Sequence, residues 1–340
     1  MKKSFDRPGH LFRLLLALAL MLALVPFSCF GETAPAREAT PEQIYADESW
    51  SFDFDEDIEF SKQELIVLRR LLLWIYNDSV ADWCKEEAEK LPEESEVRKQ
   101  YEEYEALLRQ PQPESPSLEE SKESSGKALS NISSQLKEEA VEYYKRCVEA
   151  EPAITADLFE IADSLGTEMY GIKYRLKSAG DNVNGVCRFA DKIDEKMKVA
   201  EKAGHPISYK EAAESIHDLV RYTMAATPDT LVLNFKTTRE KLEAKGYRYV
   251  KIKNSWESYS MNAPYRGVNT QIESPSGIVF ELQFHTAESL VVKSIAHGMY
   301  EITRDPKIPL EEKVDLLKQS YELFDRMKAP NRISEIVPLS

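Results

Sequence analysis

Cysteine, positive charge and long apolar runs are all scarce in this chain, and each shortage removes a class of protein. Four cysteines in 340 residues, with no CxxC spacing, build neither a disulfide framework nor a zinc site. Lysine and arginine number 44 against 59 acidic residues, a net charge of −15. That deficit excludes general DNA coating, because non-specific nucleic-acid affinity needs cations to displace counterions. A local basic pocket is compatible with it. The one sustained apolar run, Leu14 to Val25, is shorter than the roughly 20 residues that a spanning helix needs.

That run follows Lys2, Lys3, Arg7 and Arg13 and precedes Gly31, Ala34 and Ala36, the layout of a secretory signal peptide over residues 1–31. The expectation is an exported protein, periplasmic, secreted or in the cell envelope, that meets the membrane only through this signal. Cys29 invites lipidation, but Phe27 puts a bulky ring where a small residue is usual. Removal of the signal leaves Cys84, Cys147 and Cys187, a set that favours buried thiols over one disulfide with an odd partner.

With 42% apolar residues the remainder can build a real core. Residues 32–110 read as an acidic helical region: Leu65, Leu68, Leu72 and Ile75 recur at helical spacing, and a strongly charged helical stretch runs over 86–108. Residues 111–130, with Pro111, Pro113, Pro116 and a serine-rich run, read as a linker. Helices are expected over 133–165, 231–245, 287–303 and 310–327, and strands over 219–226, 247–252, 268–272 and 278–284. Ser274, Pro275, Ser276 and Gly277 form a turn that makes the last two strands an antiparallel hairpin. The fold class is α/β, a mixed β-sheet flanked by helices over about 135–305, with a C-terminal helix and tail over 306–340.

Four pieces carry chemistry. The run Phe280 to Thr286 puts Glu281, Gln283 and His285 on one strand face and Phe280, Leu282 and Phe284 on the other. By itself such a strand is an ordinary solvated sheet face; its neighbours decide. Arg175 and Lys177, two residues apart and beside Ser178, suit a polyphosphate. Asp218 opens an apolar strand, and with Glu281 it offers the two carboxylates that Mg²⁺ needs beside substrate phosphates. Lys251 and Lys253 share a strand face, and Tyr265 stands two residues before Gly267, a stacking aromatic where backbone and ligand can approach closely.

In order, Arg-x-Lys-Ser at 175–178, Asp-Leu-x-Arg at 218–221, the paired lysines, Tyr-x-Gly-x-Asn at 265–269, Glu-x-Gln-x-x-Thr at 281–286 and Ala-His-x-x-Tyr at 296–300 resemble the synthetase domain of the RelA/SpoT family of alarmone synthetases. The resemblance covers about residues 170–305 and points to the synthetase-only or toxin-like branch. It implies the nucleotidyltransferase-like fold of that domain and transfer of pyrophosphate from ATP to the 3′-hydroxyl of a nucleotide. It further implies that Arg175, Lys177 and Ser178 hold ATP phosphates, and that Asp218 and Glu281 bind Mg²⁺, with Glu281 accepting the hydroxyl proton. Lys251 or Lys253 would meet the acceptor's phosphates, Tyr265 would stack on its base, and Gln283 would orient the site. Asn269 stands where the family has His, and His285 where it has Arg. Both departures fall on the acceptor side, so GDP or GTP, an adenine nucleotide and the 3′ end of a tRNA all stay open as acceptors. After Ser178 the stretch to Arg188 reads as an insertion, with Arg188 or Lys192 standing in as phosphate ligands. Export joined to ATP use implies a delivered toxin or effector with an immunity protein as partner, and a non-catalytic nucleotide-binding envelope protein is the other class of reading.

Overall fold

Alternation of polar and apolar side chains along four of the strands fixes which way the sheet faces. In the computed structural model, which describes residues 61–110, 137–170, 183–258, 264–304 and 307–340, five strands form one sheet. They are β1 (Glu168–Tyr170), β2 (Arg221–Ala226), β3 (Arg248–Asn254), β4 (Val268–Glu273) and β5 (Val279–Thr286), in the order β1-β2-β5-β4-β3. The β2–β5 pair is parallel and every other pair antiparallel. The β4–β5 hairpin turns at Ser274–Gly277 as expected, with the Gly277 N–H donating to the Ser274 carbonyl at 2.9 Å and Gly277 at φ 78°. That left-handed conformation is open to glycine at no steric cost.

The chain divides into two units between Leu68 and Arg69. In the first, the described residues open helix α1 (Lys62–Glu89), where Ser61 and Glu64 cap each other: the Ser61 N–H and hydroxyl donate to the Glu64 carboxylate at 2.8 and 2.7 Å.

In the second unit the helices are α2 (Glu96–Arg109), α3 (Glu138–Leu165), α4 (Val183–Lys202), α5 (Tyr209–Glu214), α6 (Leu231–Ala244), α7 (Ser255–Ser258), α8 (Ala287–Arg304) and α9 (Leu310–Arg326). Helix α6 packs on β2, β3 and β5, and the apolar sheet face beneath it is aromatic. Phe235 meets Phe284 edge-on with ring centres 5.3 Å apart, and Tyr222 meets Phe280 at 5.8 Å. A second apolar cluster joins Val80, Cys84, Tyr101 and Leu108 to Ala225, Leu290, Val291 and Ile295. Ala225 lies in register with His285, on the polar side of the sheet. Helix α8 and its partners therefore roof the C-terminal end of that polar face.

Three sequence expectations change. The charged helical stretch over 86–108 is two helices: α1 stops at Glu89 ahead of Pro92, which cannot continue a helix, and Ser95 caps the start of α2 by accepting from the Arg98 N–H. Residues 69–110 and the tail from 307 belong to the same unit as the sheet: Val80, Cys84, Tyr101 and Leu108 pack with Ala225 and α8, and Phe324, Ile333 and Ile336 join the main core. The tail adds an antiparallel bridge to β3, with the Ile252 N–H donating to the Leu339 carbonyl at 2.9 Å and the Leu339 N–H returning at 3.0 Å. Asn254 Nδ2 ties it further, donating to the carbonyls of Ile333 and Ile336 at 2.9 and 3.2 Å. Finally, the stretch read as an insertion is helical from Val183 onward, the start of α4.

Cys84 and Cys147 are buried unpaired thiols, as expected, each pushed up to about 12 chiefly by burial. Among the described residues no helix is long and apolar enough to cross a membrane.

Candidate active site

The register of the sheet sorts the polar face into rows that run across the strands. Arg221, Glu281, Gln271 and Lys251 occupy one row; Thr223, Gln283, Asn269 and Lys253 the next. Arg221 and Glu281 come from parallel strands sixty residues apart in sequence, and the Glu281 N–H donating to the Val220 carbonyl at 3.0 Å locks their register.

The first row opens into a cavity of about 730 Å³. Glu281, Arg221 and Gln271 supply its sheet wall, Asp218 and His217 come from the turn before β2, and α4 closes the other side with Lys192, Glu195 and Lys196. Lys192 and Lys196 are four residues apart, so one helix face delivers both. The Lys192 ammonium lies 2.5 Å from Asp218 Oδ2, and Arg221 Nη1 lies 3.8 Å from Glu281 Oε2. Gln283 Nε2 donates to the other Glu281 oxygen, Oε1, at 2.8 Å. Three carboxylates thus line one cavity, and two of them, Asp218 and Glu281, each stand beside a cation.

The end of the same strand face closest to α8 is sealed. Gln283 is 4% exposed and His285 fully buried, whereas the Glu281 side chain retains 16%. His285 Nδ1 lies 2.9 Å from the Ser289 hydroxyl, and its Nε2 lies 2.9 Å from the Tyr265 hydroxyl. Tyr265 in turn donates to Asn269 Oδ1 at 2.7 Å. The Ser289 hydroxyl also lies 3.0 Å from the Thr286 carbonyl and has one proton to give, so the imidazole tautomer follows from which of the two acceptors takes it. Burial, then the charges of Lys293 and Arg221, hold His285 well below its ordinary range. Burial and the Glu281 carboxylate push the Tyr265 phenol up, so it keeps its proton.

The sequence-predicted residues therefore divide. Asp218 and Glu281 come together in the cavity. Arg175, Lys177 and Ser178 lie outside the described residues, and of Arg188 only the backbone is described. Lys251 and Lys253 are exposed on one face of β3, as alternation predicts, in line with Gln271 and Asn269 but outside the cavity lining. Tyr265, Asn269, Gln283 and His285 are brought together, outside the cavity lining. Gln283 and His285 do not stand on an open strand face, because α8 covers them. Tyr265 sets its ring edge-on to His285 and Phe324, with centres 5.8 and 6.0 Å apart, and its hydroxyl is engaged. Gly267 makes room for this network: a Cβ there would stand 2.6 Å from both His285 Cε1 and the Tyr265 hydroxyl.

Arg221, Lys196 and Gln271 complete the cavity and were not singled out from sequence. Arg221 carried a signal, since it closes the Asp-Leu-x-Arg motif, but its pairing with Glu281 appears only once β2 and β5 are in register. Asp218 and Glu281, two of the three carboxylates on the cavity, fit Mg²⁺, with room for phosphate and water to complete the coordination. Among the described residues no group of three or more His, Cys, Asp and Glu assembles as a metal cage.

No protein-family model and no curated protein matches the chain. Solved structures similar to it include the complex between the Type VI effector Tas1 and its immunity protein, at 19% identity over 54% of this chain and 93% of that one, with a TM-score of 0.33. The small alarmone synthetase 1 from Bacillus subtilis is similar at 17% identity over 57% of this chain and 94% of that one, with a TM-score of 0.36. A GTP pyrophosphokinase family protein from Streptococcus pneumoniae is similar at 15% identity, covering 56% and 92% of the two chains, with a TM-score of 0.36.

Proposed function

We propose that this chain is an ATP-dependent pyrophosphokinase that transfers the β,γ-pyrophosphoryl group of ATP to the 3′-hydroxyl of a nucleotide or of a tRNA end. The observation that carries the reading is the meeting of Asp218 and Glu281 with Lys192, Lys196 and Arg221 on one cavity. Three cations and three carboxylates line it, Glu195 being the third, and the three cations with Asp218 and Glu281 suit a polyphosphate, its metal and a hydroxyl to be deprotonated.

In the step itself the acceptor oxygen attacks the β-phosphorus of ATP and forms the new P–O bond. The bond from that phosphorus to the oxygen bridging the α-phosphorus breaks, AMP leaves with the electron pair, and the hydroxyl proton passes to Glu281. Lys192, Lys196 and Arg221 neutralise charge on the transferring group, and the walls of the cavity hold donor and acceptor in line. Asp218 and Glu281 would hold Mg²⁺, which when bound adds charge neutralisation on the phosphates.

A specific observation bears on the acceptor. Asn269 and His285, the two departures from the RelA/SpoT pattern, are engaged with Tyr265 instead of lining the cavity. That favours an acceptor held differently from the guanine nucleotides of alarmone synthesis, an adenine nucleotide or a tRNA 3′ end. The leader-like residues 1–31 place the protein outside its own cytoplasm in this reading, as a delivered effector that meets ATP in another cell and is restrained at home by an immunity protein.

The test is transfer of label from γ-labelled ATP with Mg²⁺ to GDP, GTP, AMP, ADP, ATP or tRNA, with the product identified by mass. A labelled product that appears with wild type and not with Glu281→Gln supports the reading. Failure to label any of these acceptors overturns it and leaves nucleotide binding without transfer.

A further inference from the structure

Ten residues beyond Gln283, α8 carries a lysine that reaches back to the strand. The Lys293 ammonium donates to Gln283 Oε1, and Gln283 Nε2 donates to Glu281 Oε1. Lys293 lies partly buried between the helix and the sheet. A primary amide has one accepting end and one donating end, and an ammonium can only donate. The two contacts therefore demand one orientation of Gln283. With the amide reversed, its NH₂ would face the ammonium and its oxygen the carboxylate, two repulsions in place of two bonds.

We propose that Lys293 is a positioning residue for Glu281, acting through Gln283. It fixes the amide so that Nε2 stays aimed at Oε1 of the carboxylate, which leaves Oε2 on the side of Arg221 and the cavity. Glu281 then meets the reacting hydroxyl with one oxygen already held and the other presented. The catalytic meaning of this arrangement rests on the pyrophosphokinase reading; its geometry does not.

Lys293→Met removes the ammonium while keeping most of the side chain's length. The prediction for kinetics is a fall in kcat of about 10- to 100-fold with the KM for ATP little changed, the range seen when a supporting partner of a site residue is lost. Lys293→Arg, which keeps a donor-only cation, restores much of kcat. A readout independent of turnover is the side-chain amide of Gln283, followed by ¹H–¹⁵N NMR in the full chain labelled at glutamine and assigned by the signals missing in Gln283→Met. Lys293→Met shifts that amide pair, and Lys293→Arg returns it towards the wild-type position. In the Gln283→Met background, Lys293→Met adds no further loss of kcat, because the link between them is already cut.

An unmoved Gln283 amide in Lys293→Met, or a loss of kcat that persists undiminished in the Gln283→Met background, overturns the proposal; the second result would make Lys293 act on the site directly. If the Lys293→Met chain does not fold, Lys293→Arg and Gln283→Met carry the same test: retention of the wild-type kcat by Gln283→Met is then the overturning result. A protein that labels no acceptor but shows the amide shift would lose the reaction and keep the positioning role.

Discussion

Two ends of one strand face in this protein have the same residue chemistry and opposite surroundings. At Glu281 the face opens to a cavity that also holds Asp218, Arg221, Lys192 and Lys196. At His285, one row beyond Gln283, Ser289 and Tyr265 enclose the imidazole and every ring nitrogen has a partner. The difference is made by α8: its first turns seal one end, while at the other the cavity lies between the strand face and α4. Polarity in a strand thus marks a place where function can be built, while the covering element decides whether those groups meet a ligand or one another.

The largest effect expected from breaking this contrast is at the open end. Glu281→Gln keeps the size of the side chain and removes its basicity, so transfer falls by about 10²- to 10⁴-fold. Stability changes little, since the side chain faces a cavity. Undiminished transfer in this variant would place the chemistry elsewhere.

The next effect is at the closed end and is one of stability. Gly267→Ala drives a methyl group to 2.6 Å from His285 Cε1 and the Tyr265 hydroxyl, and neither ring is a flexible tip that can swing aside. An overpacked site of this kind costs about 1–3 kcal/mol, which a urea midpoint measures. Unchanged stability would mean that Tyr265 can leave His285, and so that the closed end opens.

The contrast explains what the sequence made legible. Period-two alternation gave the sidedness of β5 and the shared face of Lys251 and Lys253, the Ser-Pro-Ser-Gly turn gave the hairpin at Gly277, and ligand chemistry with motif order paired Asp218 and Glu281. Those features are local, or rest on motif order. The covering of His285 is not local: it depends on how α8 packs on Ala225 and on α2, contacts between segments far apart in the chain. Arg221 was in plain view, yet its partnership with Glu281 required the parallel register. Lys192 was visible as a cation, but the helix that carries it was hidden by the Gly-Asp-Asn texture before Val183.

The closed end should also be visible in the pH dependence of folding. Burial holds His285 well below its ordinary 6.5, so the unfolded chain takes up a proton that the folded chain refuses. Its contribution is full above about 6.5 and falls with decreasing pH by up to about 1.4 kcal/mol per unit. Glu288, pushed up to about 7 by burial against an ordinary 4.5, acts in the opposite sense: its contribution is full below 4.5 and is lost as the pH rises towards 7. The two slopes oppose each other between about pH 4.5 and 6.5. Glu288→Gln unmasks the histidine, and urea midpoints in that variant fall more steeply on acidification than in wild type. Adding His285→Gln flattens the fall; a fall that persists in the double variant would assign it to another group.

The smallest effects lie on β3, where Lys251 and Lys253 test how far the open row extends. Both are exposed, so replacing either by Gln shifts stability by no more than about 0.5 kcal/mol. Their neighbours differ. Lys251 stands in the row of Gln271, Glu281 and Arg221, whereas Lys253 stands in the row of Asn269 and Gln283, which leads into the closed end. If the acceptor lies along the open row, Lys251→Gln weakens its binding by about fivefold at low salt, and Lys253→Gln by less, both differences shrinking as salt rises. Equal losses would extend the acceptor over both rows. A larger loss at Lys253 would bring the acceptor to the Tyr265 network, and the closed end would then be closed only until the acceptor arrives.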